Sequence, residues 1–248
     1  MDKKELQNPA LYTNRELSWL LFNKRVLSEA RDKQLLLFER LKFLSITASN
    51  LDEFFMVRIG SLVDMIHAEY TKKDIAGMSA KEQLDALMEE THKFAALQYS
   101  TYNRMLLPQL RANGLNFVEH HEQLTERQAQ YVDEYFEENV YPVLTPMAVD
   151  SSRPFPLIRN KTLNIGALVA KKGEKDTEIE FATVQVPSVL PRVVRIPAAK
   201  EGDTEVAVLL LEEIIERNIS KLFLNYNVLC AHPFRITRNA DLAIDEDE

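Results

Sequence analysis

A chain of 248 residues with 46% hydrophobic side chains can bury one large core or two ordinary ones, since domains cluster near ~100–150 residues. A formal charge of −8 and a pI near 5.3 exclude general affinity for nucleic acid, and any basic channel for a long polyanion must be local or lie elsewhere. The single cysteine, Cys230, excludes an intrachain disulfide framework and a thiolate-rich zinc site. It is expected as buried structure, not as a nucleophile. No apolar run approaches the ~20 residues that span a bilayer, and the opening Met1–Pro9 lacks the apolar core of a signal peptide, so the expected location is the cytosol.

In chain order, Asn14 reads as the N-cap of a helix with the apolar stripe Leu17, Leu20, Leu21, Val26 and Leu27, and Trp19 nearby. A second helix is expected from about Leu36 to Ile46. A third is expected from about Leu51 to Tyr70, apolar on more than one face through Leu51, Phe54, Phe55, Val57, Ile59 and Leu62. Between them Thr47-Ala48-Ser49-Asn50 reads as a polar break. A long pattern from Ser79 to Leu110 ends at Asn113-Gly114, a helix stop. Then Thr125-Glu126-Arg127-Gln128 fits a capping box for a helix to about Val140. Prolines at 142, 146, 154 and 156 introduce strand-like runs at Leu163–Val169, Ile179–Val186, Val193–Ile196, Val206–Leu211 and Phe234–Thr237, with a helix over Leu211–Arg217. The fold class predicted is an all-α helical bundle over 1–113 followed by an α+β domain over 114–248. The acidic ending Asp241–Glu248 has no stop signal and suggests a longer chain.

The glycines never take the spacing of a P-loop or of a dinucleotide-binding turn, and neither HExxH nor CxxC occurs. An ATP site here needs another architecture. His67 and His92 fall on helical faces, His120-His121 in a polar turn and His232 before Pro233; none is expected to be catalytic. Asp52-Glu53 suits the first turn of a helix, where the amide dipole favours acids, and Arg58 is expected to pair locally with Glu53. Arg153, Arg159 and Lys161 read as a solvated basic edge. Asn50 has two readings. Its oxygen can cap the helix beginning at Leu51, or its amide can offer adjacent donor and acceptor to an adenine edge.

The segments Asn14-Arg15-Glu16-Leu17-Ser18-Trp19-Leu20, Phe38-Glu39-Arg40-Leu41-Lys42-Phe43-Leu44 and Ser49-Asn50-Leu51-Asp52-Glu53-Phe54 resemble the start of a polyphosphate kinase of the histidine-phosphorylating type. The resemblance continues through Val143–Asp150, Arg153–Pro156 and Thr162–Ile165, and so spans nearly the whole chain. It implies the N-terminal domain and most of the head domain of an enzyme that reversibly transfers the terminal phosphate of ATP to inorganic polyphosphate through a phosphohistidine. By the same resemblance Asn50 contacts ATP, the phosphohistidine and the magnesium site belong to later domains, and the head domain contributes to homo-oligomer contacts. The implied partners are ATP and ADP, polyphosphate and the C-terminal domains, and not nucleic acid. The expected location is the cytoplasm, with membrane association of the full-length form as the alternative. No catalytic residue or metal ligand is expected within these residues, and the chain alone is expected to be inactive. The competing reading is a non-enzymatic helical interaction module in which Asn50 is only a cap.

Overall fold

The computed structural model describes residues 5–149, 158–173 and 179–239. The chain forms two compact units, residues 1–109 with 237–248, and residues 110–236. Among the described residues no helix is long and apolar enough to cross a membrane.

In the first unit, helix α1 (Arg15–Arg31) begins where Asn14 closes its first turn, the Asn14 Oδ1 accepting from the amides of Glu16 and Leu17 at 3.0 and 2.9 Å. The other end of that side chain donates to Asp74 and Gln83 at 2.7 and 2.9 Å. The cap is therefore also a tertiary tie. The buried stripe of α1 is Leu20, Asn23, Leu27 and Ala30, at the spacing of one helical face, whereas Leu21 is 57% exposed.

Helix α2 (Leu37–Phe54) corrects the expected break. It runs unbroken through Asn50, continues as a π-helical turn at Phe55–Ile59, and passes into α3 (Gly60–His67). The segment Ile46–Leu51 holds no Gly or Pro, and its polar side chains find partners that leave the helical backbone intact. The Thr47 hydroxyl donates to the Leu44 carbonyl at 2.7 Å, and the Asn50 amide donates to Asn23 of α1 at 3.1 Å. Asn50 is thus not an N-cap. Asp52 and Glu53 lie in the last turn of α2, not in a first turn.

Helix α4 (Ala80–Thr101) starts with a capping box between Ser79 and Glu82. A π-helical turn at Tyr102–Leu106 leads into α5 (Leu107–Ala112), and Gly114, with φ of 79°, follows it. The core of this unit has two centres, Leu20, Phe54, Ile59, Leu62 and Leu87 in one, and Leu27, Ala30 and Phe94 in the other.

The second unit combines seven described strands with two α-helices. It opens with the short strand β1 (Leu115–Phe117), and α6 (Glu126–Tyr135) starts with the expected Thr125–Gln128 capping box and continues as a π-helical turn to Val140. Strands β2 (Pro146–Val149), β3 (Leu163–Lys171), β4 (Ile179–Gln185), β5 (Val193–Ile196) and β6 (Val206–Leu210) follow, then α7 (Leu211–Arg217) and β7 (Tyr226–Arg235). One sheet has the order β1-β6-β5, with β1 parallel to β6; the other is antiparallel in the order β2-β4-β3-β7. In β3, Ile165, Ala167 and Val169 point inward, opposite Val184 and Ala182 of β4. Val132, Phe136 and Val140 of the α6 arm join them in one core with Leu211, Ile214 and Ile215 of α7.

The helical bundle and the α+β unit are the predicted fold class. Strand β7 begins at Tyr226, ahead of the expected start. Cys230 is exposed, a correction: it stands opposite Leu168, itself exposed, beside the register shift between Leu168 and Val169. Arg159 and Lys161 are exposed, as a solvated edge requires, while Arg153 and the run Asp241–Glu248 lie outside the described residues.

Candidate functional site

Asn50 lines a groove of about 290 Å³ formed within the first unit by α1, the end of α2 and the π-helical turn. Trp19 and Phe54 stack 4.4 Å apart at 9°, and Phe55 meets Phe54 edge-on. Phe22, 55% exposed, adds an accessible apolar surface to the lining, together with Val57. Charge enters through Arg15, Glu16, Glu53 and Arg58. The π-helical turn matters locally because its extra residue per turn shifts the helix face, and such turns are frequent at functional sites.

The orientation of Asn50 is set from behind. Fully buried Asn23 donates its amide to the Thr47 carbonyl at 3.1 Å, which turns its own oxygen toward the Asn50 amide. The Thr47 hydroxyl in turn accepts from Gln98 of α4 at 2.9 Å. One amide proton of Asn50 is committed to this network, leaving a second proton and the carbonyl oxygen. A fixed amide beside flat aromatic walls suits a planar heterocycle carrying an adjacent donor and acceptor.

Arg58 does not pair with Glu53 as expected. Its Nε lies 3.9 Å from the buried Glu16 carboxylate, whose other oxygen accepts from Arg15 Nε at 2.9 Å. Two half-free guanidinium groups therefore border the groove, sharing one acid. Both also line a neighbouring groove of about 450 Å³ that carries Lys72 and Lys73. This end of the site has the charge an anionic group requires.

His67 and His92 are exposed on α3 and α4. His120 and His121 sit against Glu213, and His232 lies 3.4 Å from Glu216, surroundings that oppose a phosphate. Burial and then the Glu213 carboxylate raise the pKa of Glu216 above its ordinary range, against the lowering influence of His232 and His121.

Sequence reasoning selected Asn50 and missed Asn23. The visible sign was a carboxamide on the buried stripe of α1, between Leu20 and Leu27, where an apolar residue is the norm.

A helical unit with an aromatic-walled groove lined by Asn50, Arg15 and Arg58 is thus followed in the chain by an α+β unit. The polyphosphate kinase N-terminal domain matches residues 12–118, and the polyphosphate kinase middle domain matches residues 127–248. Polyphosphate kinase from Lactiplantibacillus plantarum is 48% identical over 96% of this chain, and that from Halalkalibacterium halodurans is 47% identical over 98%. The crystal structure of polyphosphate kinase from Porphyromonas gingivalis superposes with a TM-score of 0.81 over 94% of this chain, at 31% identity. The chain covers 32% and 34% of those two curated relatives and 34% of the solved chain. The chain belongs to the polyphosphate kinase family.

Proposed function

We propose that this chain supplies the adenine-contacting face of a polyphosphate kinase that reversibly transfers the terminal phosphate of ATP to inorganic polyphosphate. The observation carrying this reading is Asn50, held by the buried Asn23 at the edge of a groove walled by Trp19, Phe22 and Phe54. The base lies against the aromatic wall, and the free donor and acceptor of Asn50 meet its edge. Arg15 and Arg58 favour the nucleotide's charged end. Transfer itself, the phosphohistidine and magnesium belong to residues beyond these, a reading supported by His121 and His232, which lie against carboxylates. Self-association through the 110–236 unit is part of the same proposal. The setting of the reaction is the cytoplasm.

Two experiments test it. Photo-crosslinking with an 8-azidoadenosine nucleotide should label peptides from α1 and the end of α2, with unlabelled ATP protecting them; labelling confined to the 110–236 unit would contradict the assignment. Labelled ATP with magnesium should yield neither polymer nor phosphoprotein from this chain alone, and a stable phosphohistidine on it would overturn that part.

A further inference from the structure

His120 and Glu122 stand on the turn before α6, and Glu213 lies on α7. One ligand atom from each lies within 4.8 Å of the others. Glu213 is the fixed member, being 8% exposed. Its Oε2 accepts from the His121 backbone amide at 3.0 Å and lies 3.2 Å from His121 Nδ1. That leaves Oε1, 3.8 Å from His120 Nδ1. We propose that His120, Glu122 and Glu213 bind one divalent transition cation of the zinc class, with His121 as a positioning residue for Glu213.

The chemistry follows from the donor set. Two carboxylates and a neutral imidazole carry two negative charges, matching a dication. An imidazole ligand selects zinc, cobalt, nickel or copper over magnesium, which prefers an octahedron of oxygens and keeps its waters. Ligand atoms about 2.0–2.2 Å from a tetrahedral zinc lie roughly 3.3–3.6 Å from one another. The present spread, up to 4.8 Å, must close by roughly 1.2–1.5 Å, and the two members that must move are the exposed ones. Their side chains are 66% (His120) and 73% (Glu122) exposed, so both can rotate while buried Glu213 stays in place. Three protein ligands leave a fourth position for water, and the His121 contact to Glu213 is the outer support that ligating carboxylates ordinarily have. A simple His–Glu ion pair would explain the contacts of His121. His121 also reaches Glu122, its Nε2 lying 3.6 Å from Oε1, so pairing accounts for that carboxylate as well; what goes beyond pairing is the convergence of His120, Glu122 and Glu213 on one point.

The test is titration of the chain with CoCl2, because four-coordinate cobalt absorbs strongly in the visible and hexaaqua cobalt does not. The expected result is a saturable visible band at one cobalt per chain, abolished by equimolar ZnCl2 and unaffected by excess MgCl2. His120→Ala and Glu122→Gln alter exposed side chains and leave the fold intact; each should weaken binding by at least about tenfold, and His121→Phe by about tenfold. Glu213→Gln is buried, so its loss of binding counts only with an unchanged melting curve. His92→Ala, on α4, should bind as the parent does. Absence of the four-coordinate band, or undiminished binding in both His120→Ala and Glu122→Gln, would overturn the site.

Discussion

At the scale of single residues, Asn50 changes meaning once Asn23 is seen. As a cap, Asn50→Asp would hold or raise stability. In the interior of α2, the same change removes the donor to Asn23 and sets a carboxylate against the Asn23 oxygen. Asn50→Asp should therefore lower stability by about 1–3 kcal/mol in denaturant titration, and an unchanged midpoint would mean that the contact contributes nothing. Asn23→Ala should cost a similar ~1–3 kcal/mol, because it strips the buried network of its central member while leaving the groove surface untouched. The sequence revealed Asn50 through its polar neighbourhood, but not the reason for it. Its partner lies on another helix, and no local rule connects the two.

Elements were legible where the rule that makes them is local. Asn14, Ser79 and Thr125 each close a helix start within three residues, and Gly114 supplies the positive φ that follows α5, so these ends were visible in the sequence. The false break at Thr47–Asn50 came from reading polarity as a boundary, when cross-helix hydrogen bonds had absorbed it. The π-helical turns and the three-residue β1 have no sequence period of their own; β1 exists because it pairs with β6. A Cβ at Gly166 of β3 would lie 3.0–3.2 Å from the Phe181 ring and 3.2 Å from Phe234, rings that meet edge-to-face. Gly166→Val should destabilise the sheet by about 1–3 kcal/mol, read as a lowered melting temperature. Arg217 of α7 holds Asp133 of α6 through two contacts of 2.8 and 3.0 Å. Hydrogen bonding from Arg217, opposed by burial and aided by Asn218, lowers the Asp133 pKa below its ordinary value. A depressed carboxyl pKa stabilises the fold above the unfolded value near ~3.9, and that contribution fades as pH falls through the lower folded value. Arg217→Met should accordingly lower stability at neutral pH by up to about 1 kcal/mol and flatten the acid side of the stability profile; parallel profiles would contradict the pairing.

For the molecule as a whole, periodicity already separated a helical half from a strand-bearing half, because 3.6-residue and two-residue periods are written in the order of side chains. The groove was not visible, since it is assembled from α1, the end of α2 and a π-helical turn that the sequence does not announce. The proposed role of this groove is to read adenine through Asn50. The chain's single tryptophan, Trp19, forms part of the groove wall and reports on it without any label. The most direct test is a fluorescence titration of Trp19 with ATP and with GTP, for the parent chain and for Asn50→Ala. Saturable quenching is expected, tighter for ATP than for GTP, with ATP affinity falling about tenfold, or ~1.4 kcal/mol, in Asn50→Ala and the preference over GTP lost. Quenching of equal strength by both nucleotides, or an ATP affinity unchanged in Asn50→Ala, would contradict it.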